Sequence, residues 1–207
     1  GINPCRKIMA IPIHKLDKSI MIEKEYQEVI KSLSGKPSGD GEVKYESFKA
    51  IKDICRISNP TTILELGFNR GASAFMWLES SKAKLHSIDR LLPTHVEKSI
   101  NYFNLKYPGR FQYTHYDHQN LTDLSLELTN QYDLIFIDGE HTQNGIYRDT
   151  KNSISLNPKF IVFDDYLHKS HEMDIFWVIK DFKLEIIREY NTSNGHVLTY
   201  NPLYTPK

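Results

Sequence analysis

The stretch ILELGFNRGAS, residues 63–73, decides the fold because it changes from an apolar strand pattern to a glycine-containing turn within a few residues. Gly67 and Gly71 permit a tight turn and a close approach of the backbone to a ligand at a helix N-terminus. A dinucleotide-binding fingerprint has the spacing GxGxxG, but Asn69 stands here at the position of its second glycine. The segment therefore predicts a strand–turn–helix unit and argues against an NAD or FAD site.

Short apolar runs alternate with helical patterns on both sides of this turn, which is typical of βαβ units. We expect an α/β fold with a doubly wound, Rossmann-like sheet that is mostly parallel and ends in an antiparallel hairpin. The predicted strands lie near residues 62–66, 84–88, 111–115, 133–137 and 159–163, and the hairpin near 184–191 and 196–200. The predicted helices lie near residues 71–80, 93–106, 121–130, 142–154 and 170–182.

The residues before the sheet predict two further helices and a linker. Apolar residues recur at helical spacing from Ile22 to Leu33, and again from Phe48 to Cys55. Between them, SGKPSGDGE (34–42) consists of residues that favour turns. We therefore divide the chain into an N-terminal helix with a flexible linker, residues 1–42, and a single larger domain, residues 43–207.

Composition and charge restrict the partners and the location. The 207 residues contain 26 basic and 26 acidic residues, and a net charge of zero argues against nucleic acid as a partner. Apolar runs such as 134–137 and 160–163 are far shorter than the roughly 20 residues that cross a bilayer, so no membrane partner is expected. The two cysteines form no ligand spacing or disulfide framework, and no signal-peptide pattern is present. We expect a cytoplasmic protein.

Four consecutive predicted strands each end at an acidic residue. These residues are Asp89, Asp117, Asp138 and the pair Asp164 and Asp165. A single aspartate at such a position can serve as a helix N-cap. Because ligands of open α/β sheets bind outside the carboxyl ends of the strands, the repetition indicates one crevice lined by carboxylates.

With Glu65 before the turn, ILELGFNRG resembles motif I of the class I S-adenosylmethionine-dependent methyltransferases, except that Asn69 replaces the usual middle glycine. The resemblance extends from about residue 45 to the closing hairpin. It implies a class I methyltransferase fold with S-adenosylmethionine as the cofactor. It also implies that Glu65 and the backbone at Gly67 and Gly71 hold the methionine part of the cofactor, and that Asn69 of the same loop is a cofactor-binding residue.

Two acidic residues complete the cofactor site that the resemblance implies. Asp89 would bind the ribose hydroxyls, and Asp117 would lie beside the adenine. The ribose role also agrees with simple chemistry, since a carboxylate can accept hydrogen bonds from both hydroxyls of a diol.

Two later segments, YDLIFIDGEHTQNGIYRD (132–149) and FIVFDDYLH (160–168), are similar to metal-dependent sugar O-methyltransferases. That group includes macrocin, mycinamicin, novobiocin-pathway and rhamnosyl O-methyltransferases, with cephalosporin hydroxylase-like proteins nearby. The similarity implies that Asp138, Asp164 and Asp165 bind magnesium. An all-oxygen donor set also suits another hard divalent cation such as Mn2+. The related catechol-type enzymes typically have Lys after their first Asp ligand and Asp-Asn later.

The same resemblance makes His141, three residues after Asp138, the general base. A sugar hydroxyl is a weak acid, and histidine, with an ordinary pKa of about 6.5, suits the removal of its proton near neutral pH. His168 and His118 are weaker candidates for a role in the site. Trp177 is a candidate pocket wall.

The leading hypothesis is an enzyme: an S-adenosylmethionine- and Mg2+-dependent O-methyltransferase that acts on a sugar hydroxyl. The resemblance alone implies a sugar or glycan acceptor, a deoxyhexose such as rhamnose in a glycan or glycoside. The alternatives are a catechol-type O-methyltransferase acting on a phenolic diol, a nicotinamide-dependent oxidoreductase, and a non-catalytic binding module on the same fold. Residue 1 is Gly rather than Met, which fits either a tag scar or a domain of a longer glycan-processing polypeptide. The oligomeric state stays open.

Overall fold

The computed structural model describes residues 18–34, 46–116, 131–192 and 194–206. The helices of this part of the chain are α1 (Lys18–Ser34), α2 (Ser47–Ser58), α3 (Ala72–Ser80), α4 (Pro93–Lys106), α5 (Gln143–Ser155) and α6 (Glu172–Asp181). Its strands are β1 (Thr62–Leu66), β2 (Lys84–Asp89), β3 (Phe111–His115), β4 (Leu134–Ile137), β5 (Phe160–Asp164), β6 (Glu185–Tyr190) and β7 (His196–Tyr200). None of the described helices is both long and apolar enough to span a membrane.

The seven strands form one sheet in the order β3-β2-β1-β4-β5-β7-β6. Strands β1 to β5 pair in parallel, and β7 pairs antiparallel with both β5 and β6. The predicted α/β fold with a mostly parallel sheet and a C-terminal antiparallel hairpin is therefore confirmed. The predicted bounds of the described strands and of α3 to α6 agree with the structure to within two residues. The helix predicted near 121–130 lies outside the described residues.

The strand order reverses between β1 and β4, which are neighbours in the sheet although β2 and β3 intervene in the chain. The register pairs Leu66 at the end of β1 with Ile88 of β2 on one side and with Ile137 of β4 on the other. Such a reversal opens a crevice at the carboxyl ends of the strands. The acidic residues at the ends of β2, β4 and β5 are therefore at the edge where open α/β sheets bind ligands.

Helices cover both faces of the sheet. On one face, α1 to α4 pack onto Ile63, Leu134 and Phe136. On the other face, α5 and α6 pack onto Leu64 and Ile135. Because both faces are covered, the central strands are almost continuously apolar, as parallel strands generally are.

Helix α1 packs into the same core as the larger domain. Tyr26 of α1 is buried, and its ring lies 5.7 Å from that of Phe75. The Lys106 ammonium group forms ion pairs with Glu25 of α1 and Glu79 of α3, and it lies 4.5 Å from the centre of the Phe75 ring. The core packing and these ion pairs connect α1 with α3 and α4. The predicted boundary between residues 42 and 43 lies outside the described residues and stays a prediction.

Candidate active site

The turn after β1 contains three residues with positive φ: Gly67 (98°), Asn69 (47°) and Gly71 (91°). A Cβ atom on Gly67 would lie 2.0 Å from the carbonyl oxygen of Asp138. A Cβ atom on Gly71 would lie 2.3 Å from the ring of Phe103. Both glycines therefore permit close packing of the turn against neighbouring parts of the protein. The predicted contacts of their backbone with the cofactor stay a prediction.

Asn69 has a left-handed backbone conformation, which asparagine tolerates better than most residues. Its backbone N–H donates to Oδ2 of Asp89 at 2.6 Å, and the backbone N–H of Leu91 donates to Oδ1 at 2.9 Å. Asp89 thus holds the turn after β1 beside the end of β2. Each carboxylate oxygen can accept a second hydrogen bond, so the contacts are compatible with the predicted binding of ribose hydroxyls.

Glu65 is fully buried in the centre of the sheet. Its Oε1 accepts a hydrogen bond from Ser73 of α3 and its Oε2 accepts one from Ser87 of β2, both at 2.5 Å. Burial raises the pKa of Glu65 to about 7, because the charged form loses its solvation there. The described contacts make Glu65 a connection between β1, β2 and α3, and its predicted role toward the cofactor stays untested.

We expect Glu65→Gln to remove a pH dependence of stability. The pKa of Glu65 is about 7 in the folded protein against an ordinary value of 4.5. Between these values the folded protein holds a proton that the unfolded chain has released. The contribution of Glu65 to the free energy of unfolding is therefore complete below the lower value. It decreases by roughly 3 kcal/mol in total as the pH rises from the lower value through the higher one.

Urea unfolding of both proteins without cofactor, at about pH 5 and about pH 8, measures this effect. The glutamine variant should gain stability relative to the parent protein at the higher pH. An equal difference in the free energy of unfolding at both pH values would contradict the assignment.

The ends of β4 and β5 surround a small cavity. Its polar lining includes Asp138, Asp164, Asp165 and two histidines, and apolar residues such as Phe163 form its other walls. Burial raises the pKa of Asp138 well above the ordinary range, and the charges of the other two carboxylates add to that shift. Burial likewise raises the pKa of Asp164. The structure therefore brings the three predicted metal ligands to one cavity, where their negative charges repel one another.

Asp165 has an unusual backbone conformation, with φ of 57°. A positive φ in a residue other than glycine is uncommon and is often found at functional sites. Oδ2 of Asp165 lies 3.0 Å from Nδ1 of His141. Oδ1 is buried and makes no well-formed hydrogen bond within the described residues, although the side chain of Asn194 helps to lower the pKa of the carboxyl group.

His141, the predicted base, lies at the mouth of this cavity with about half of its side chain exposed. The hydrogen bond with Asp165 raises the pKa of His141 above its ordinary value. Its other ring nitrogen, Nε2, lies 3.7 Å from Oδ1 of Asp138. The predicted base therefore lies beside two of the three predicted metal ligands.

The loop that carries His141 is fixed at both ends. Before it, the backbone N–H of Asp138 donates to the carbonyl oxygen of Leu66 at 2.9 Å. After it, the side chain of Thr142 accepts a hydrogen bond from the backbone N–H of Gly145 and caps α5. Asp138 and His141 are thus positioned by the sheet on one side and by the helix start on the other.

His171 is a site residue to which the sequence assigned no role. Its ring lies 5.3 Å from that of His141, and its Nδ1 is buried without a hydrogen-bond partner in the described part of the chain. One ligand atom each from His141, Asp165 and His171 can be chosen so that all three lie within 4.8 Å of one another. The only sequence signal was the position of His171 shortly after the aspartate pair. His168, in contrast, is exposed and stacks on the ring of His171 at 5.0 Å.

Trp177 does not line this cavity of the described residues, and its expected role as a pocket wall stays a prediction. The side chain is 46% exposed, and the cavity lining does not include it. Helix α6 turns Ile175, Val178 and Ile179 toward the core, and Trp177 lies on a different side of the helix. Two other candidates, Asp117 and His118, lie outside the described residues.

A family model described as a methyltransferase domain matches residues 64–166, about half of the chain. The match begins in β1 and ends just after the Asp164–Asp165 pair, so it includes the turn and the three carboxylates of the cavity. The chain belongs to the class I S-adenosylmethionine-dependent methyltransferases. The nicotinamide-dependent oxidoreductase alternative is therefore wrong. A comparison with curated proteins finds no match.

Solved structures share the fold of this methyltransferase at low sequence identity. A SAH-bound methyltransferase from Podospora anserina is 16% identical, with a TM-score of 0.65 over 93% of this chain and 97% of that one. A proposed caffeoyl-CoA O-methyltransferase from Staphylococcus aureus is 17% identical, with a TM-score of 0.67 over 90% and 100%. An O-methyltransferase from Bacillus cereus in complex with SAH is 15% identical, with a TM-score of 0.67 over 91% and 93%.

Proposed function

We propose that this methyltransferase transfers the methyl group of S-adenosylmethionine to a hydroxyl oxygen of a diol bound at the ends of β4 and β5. The observation that carries the proposal is the contact between Nδ1 of His141 and Oδ2 of Asp165, 3.0 Å apart at a cavity lined by three carboxylates. This contact combines a base with a group that orients it. An oxygen nucleophile needs such a base more than a thiol does, because a thiol is the stronger acid.

The three carboxylates fit a hard divalent cation. Asp138, Asp164 and Asp165 offer only oxygen ligands, which Mg2+ and Mn2+ prefer. Burial and mutual repulsion raise the pKa of Asp138 and Asp164, and a cation would relieve that repulsion. Oδ1 of Asp165 is buried without a well-formed hydrogen bond in the described residues, which leaves it able to act as a ligand. A cation held there would make the acceptor hydroxyl more acidic.

His141 would take the proton from the acceptor hydroxyl at Nε2. Its Nδ1–H faces Asp165, which fixes the orientation of the ring and stabilises the imidazolium that forms. The acceptor oxygen forms a bond to the methyl carbon as the bond from that carbon to sulfur breaks, and the sulfur keeps the electron pair. No covalent enzyme intermediate is needed, so positioning and electrostatics supply most of the catalysis.

A phenolic diol is the acceptor class that we place first. Apolar residues, among them Ile146, Phe163 and Ile175, line the cavity beside the carboxylates, and an apolar surface at its mouth would favour an aromatic ring over a polyhydroxylated one. The fold likeness to the proposed caffeoyl-CoA O-methyltransferase of S. aureus supports the same choice.

A sugar hydroxyl, such as that of a deoxyhexose in a glycan or glycoside, is the second candidate. The pair formed by His141 and Asp165 favours it, since an alkyl hydroxyl is far less acidic than a phenol and depends more on a base. The resemblance of segments 132–149 and 160–168 to the sugar enzymes supports the same reading.

The test compares both acceptor classes under identical conditions. The protein is incubated with S-adenosylmethionine and Mg2+, with catechol or caffeate in one series and a methyl rhamnoside in the other, and release of S-adenosylhomocysteine is measured. We expect turnover of the phenolic diols, and we expect a metal chelator to abolish that turnover. Turnover of the rhamnoside alone would replace the first acceptor class with the second. Binding of the cofactor without turnover of either class would contradict the proposed diol acceptor.

A further inference from the structure

We propose that His141, Asp165 and His171 form a binding site for a divalent transition-metal ion such as Zn2+ or Co2+. Asp165 is also one of the three carboxylates that suit a hard cation. The two other ligands of the proposed site are imidazoles. An ion bound there withdraws His141 from its role as a base. The site itself is independent of the proposed function, whereas the inhibition rests on it.

The distances suit a common metal ion. Transition metals bind imidazole nitrogen and carboxylate oxygen at about 2.0 to 2.2 Å, so two neighbouring ligand atoms of one ion lie roughly 3.0 to 3.5 Å apart. Nδ1 of His141 and Oδ2 of Asp165 are 3.0 Å apart. The third ligand, from His171, completes a group whose atoms all lie within 4.8 Å of one another, and its side chain would move closer when an ion binds.

An unpartnered atom supports the assignment independently of these distances. Nδ1 of His171 is buried and has no hydrogen-bond partner within the described residues, which is uncommon for a buried polar atom. The exposed ring of His168 stacks on the ring of His171 but supplies no atom to the ligand group. His171 therefore lies at the cavity with its hydrogen-bonding capacity incompletely used.

The chemistry of the ligands decides the class of ion. Two imidazole nitrogens and one carboxylate suit zinc, cobalt, nickel and iron, whereas Mg2+ prefers oxygen ligands and retains several waters. The two kinds of ion therefore prefer different residues of the same cavity. Because both use Asp165, they compete.

Occupation of this site has a direct consequence for His141. The ring lies with Nδ1 toward Asp165 and Nε2 toward Asp138, and coordination through Nδ1 replaces the proton that otherwise donates to Asp165. The ring then loses the orienting carboxylate contact and can no longer become a hydrogen-bonded imidazolium. Zinc should consequently inhibit methyl transfer.

The binding test uses Co2+ as the probe, because its visible absorption reports its ligands, and needs neither cofactor nor acceptor. Titration of the parent protein, His171→Asn and His168→Asn is followed by absorbance and by calorimetry. We expect the His171 variant to bind Co2+ at least about tenfold more weakly, and the His168 variant to bind within about threefold of the parent protein. Equal affinity of the parent protein and the His171 variant would overturn the proposed site.

The second part of the experiment measures methyl transfer in the presence of Mg2+, with and without added Zn2+. For each protein, the rate with zinc is compared with the rate of the same protein without zinc. Zinc should inhibit the parent protein and His168→Asn, and the zinc concentration for half inhibition should rise at least about tenfold in His171→Asn. Tight Co2+ binding without inhibition by zinc would support the metal site. It would contradict the proposal that a bound ion withdraws His141 from its role as a base. Absence of methyl transfer under all conditions contradicts the proposed function alone, because the binding arm still tests the site.

Discussion

Gly67→Ala is expected to destabilise the fold and to reduce methyl transfer together. The new Cβ atom would lie 2.0 Å from the carbonyl oxygen of Asp138, and the backbone at Gly67 has a φ of 98°, which alanine adopts at a cost. Strain and overlap should together lower the free energy of unfolding by about 3 kcal/mol or more. Relief of the overlap moves the end of β4, and a displacement of about 1 Å can reduce a rate roughly hundredfold.

Gly109→Ala is the matched control for this substitution. Gly109 also has a positive φ, of 71°, but a Cβ atom there would meet no atom within 4 Å. We expect it to cost only about 1 kcal/mol of stability and to leave methyl transfer unchanged. Urea unfolding and initial rates of the two variants separate conformational strain from the close approach to Asp138. Equal losses in both variants would contradict the role of that approach.

His141→Gln is expected to reduce methyl transfer to an alkyl hydroxyl by about 100-fold to 10,000-fold, the usual contribution of a general base. The reduction with a phenolic diol should be much smaller, because a phenol releases its proton more readily. Binding of S-adenosylmethionine should change little, since the described contacts of His141 are with Asp138, Asp165 and His171 rather than with the turn after β1. Initial rates with both acceptor classes and calorimetry with the cofactor measure these effects.

His168→Gln serves as the control for the loss of His141. The ring of His168 stacks on that of His171, but His168 is exposed and does not line the cavity. Its substitution should leave the rates within about threefold of the parent protein. An unchanged rate of His141→Gln with both acceptor classes would remove His141 as the base.

The sheet was predictable because its strands are short, apolar and regularly separated by helical patterns. The same regularity explains why the sequence alone predicts that Asp138 and Asp164 lie close together. Their strands are parallel neighbours, and the register pairs Ile137 of β4 with Phe163 of β5. The next residue in the chain after each, Asp138 or Asp164, therefore lies at the same edge of the sheet. The spacing of apolar runs and acidic residues along the chain contains this information.

The contact of His171 with His141 follows from a turn that the sequence does not reveal. The backbone N–H of His168 donates to the carbonyl oxygen of Asp165, and the backbone N–H of His171 donates to that of His168. These two tight turns, together with the positive φ of Asp165, fold the chain back over the cavity. Side-chain spacing along the sequence predicts faces of helices and strands, but not the path of such a turn.

Because β7 runs antiparallel to β5, the residues just before β7 lie at the carboxyl ends of the parallel strands, beside the cavity. His196 at the start of β7 pairs with Asp164 at the end of β5, and the carbonyl oxygens of Asn194 and Gly195 accept hydrogen bonds from the loop after β5. This hairpin turn lies outside the five parallel strands, so its length and composition can change while their register is kept. The rim beside the proposed acceptor site can consequently diversify in evolution, or be redesigned, without rebuilding the strands that position the turn after β1.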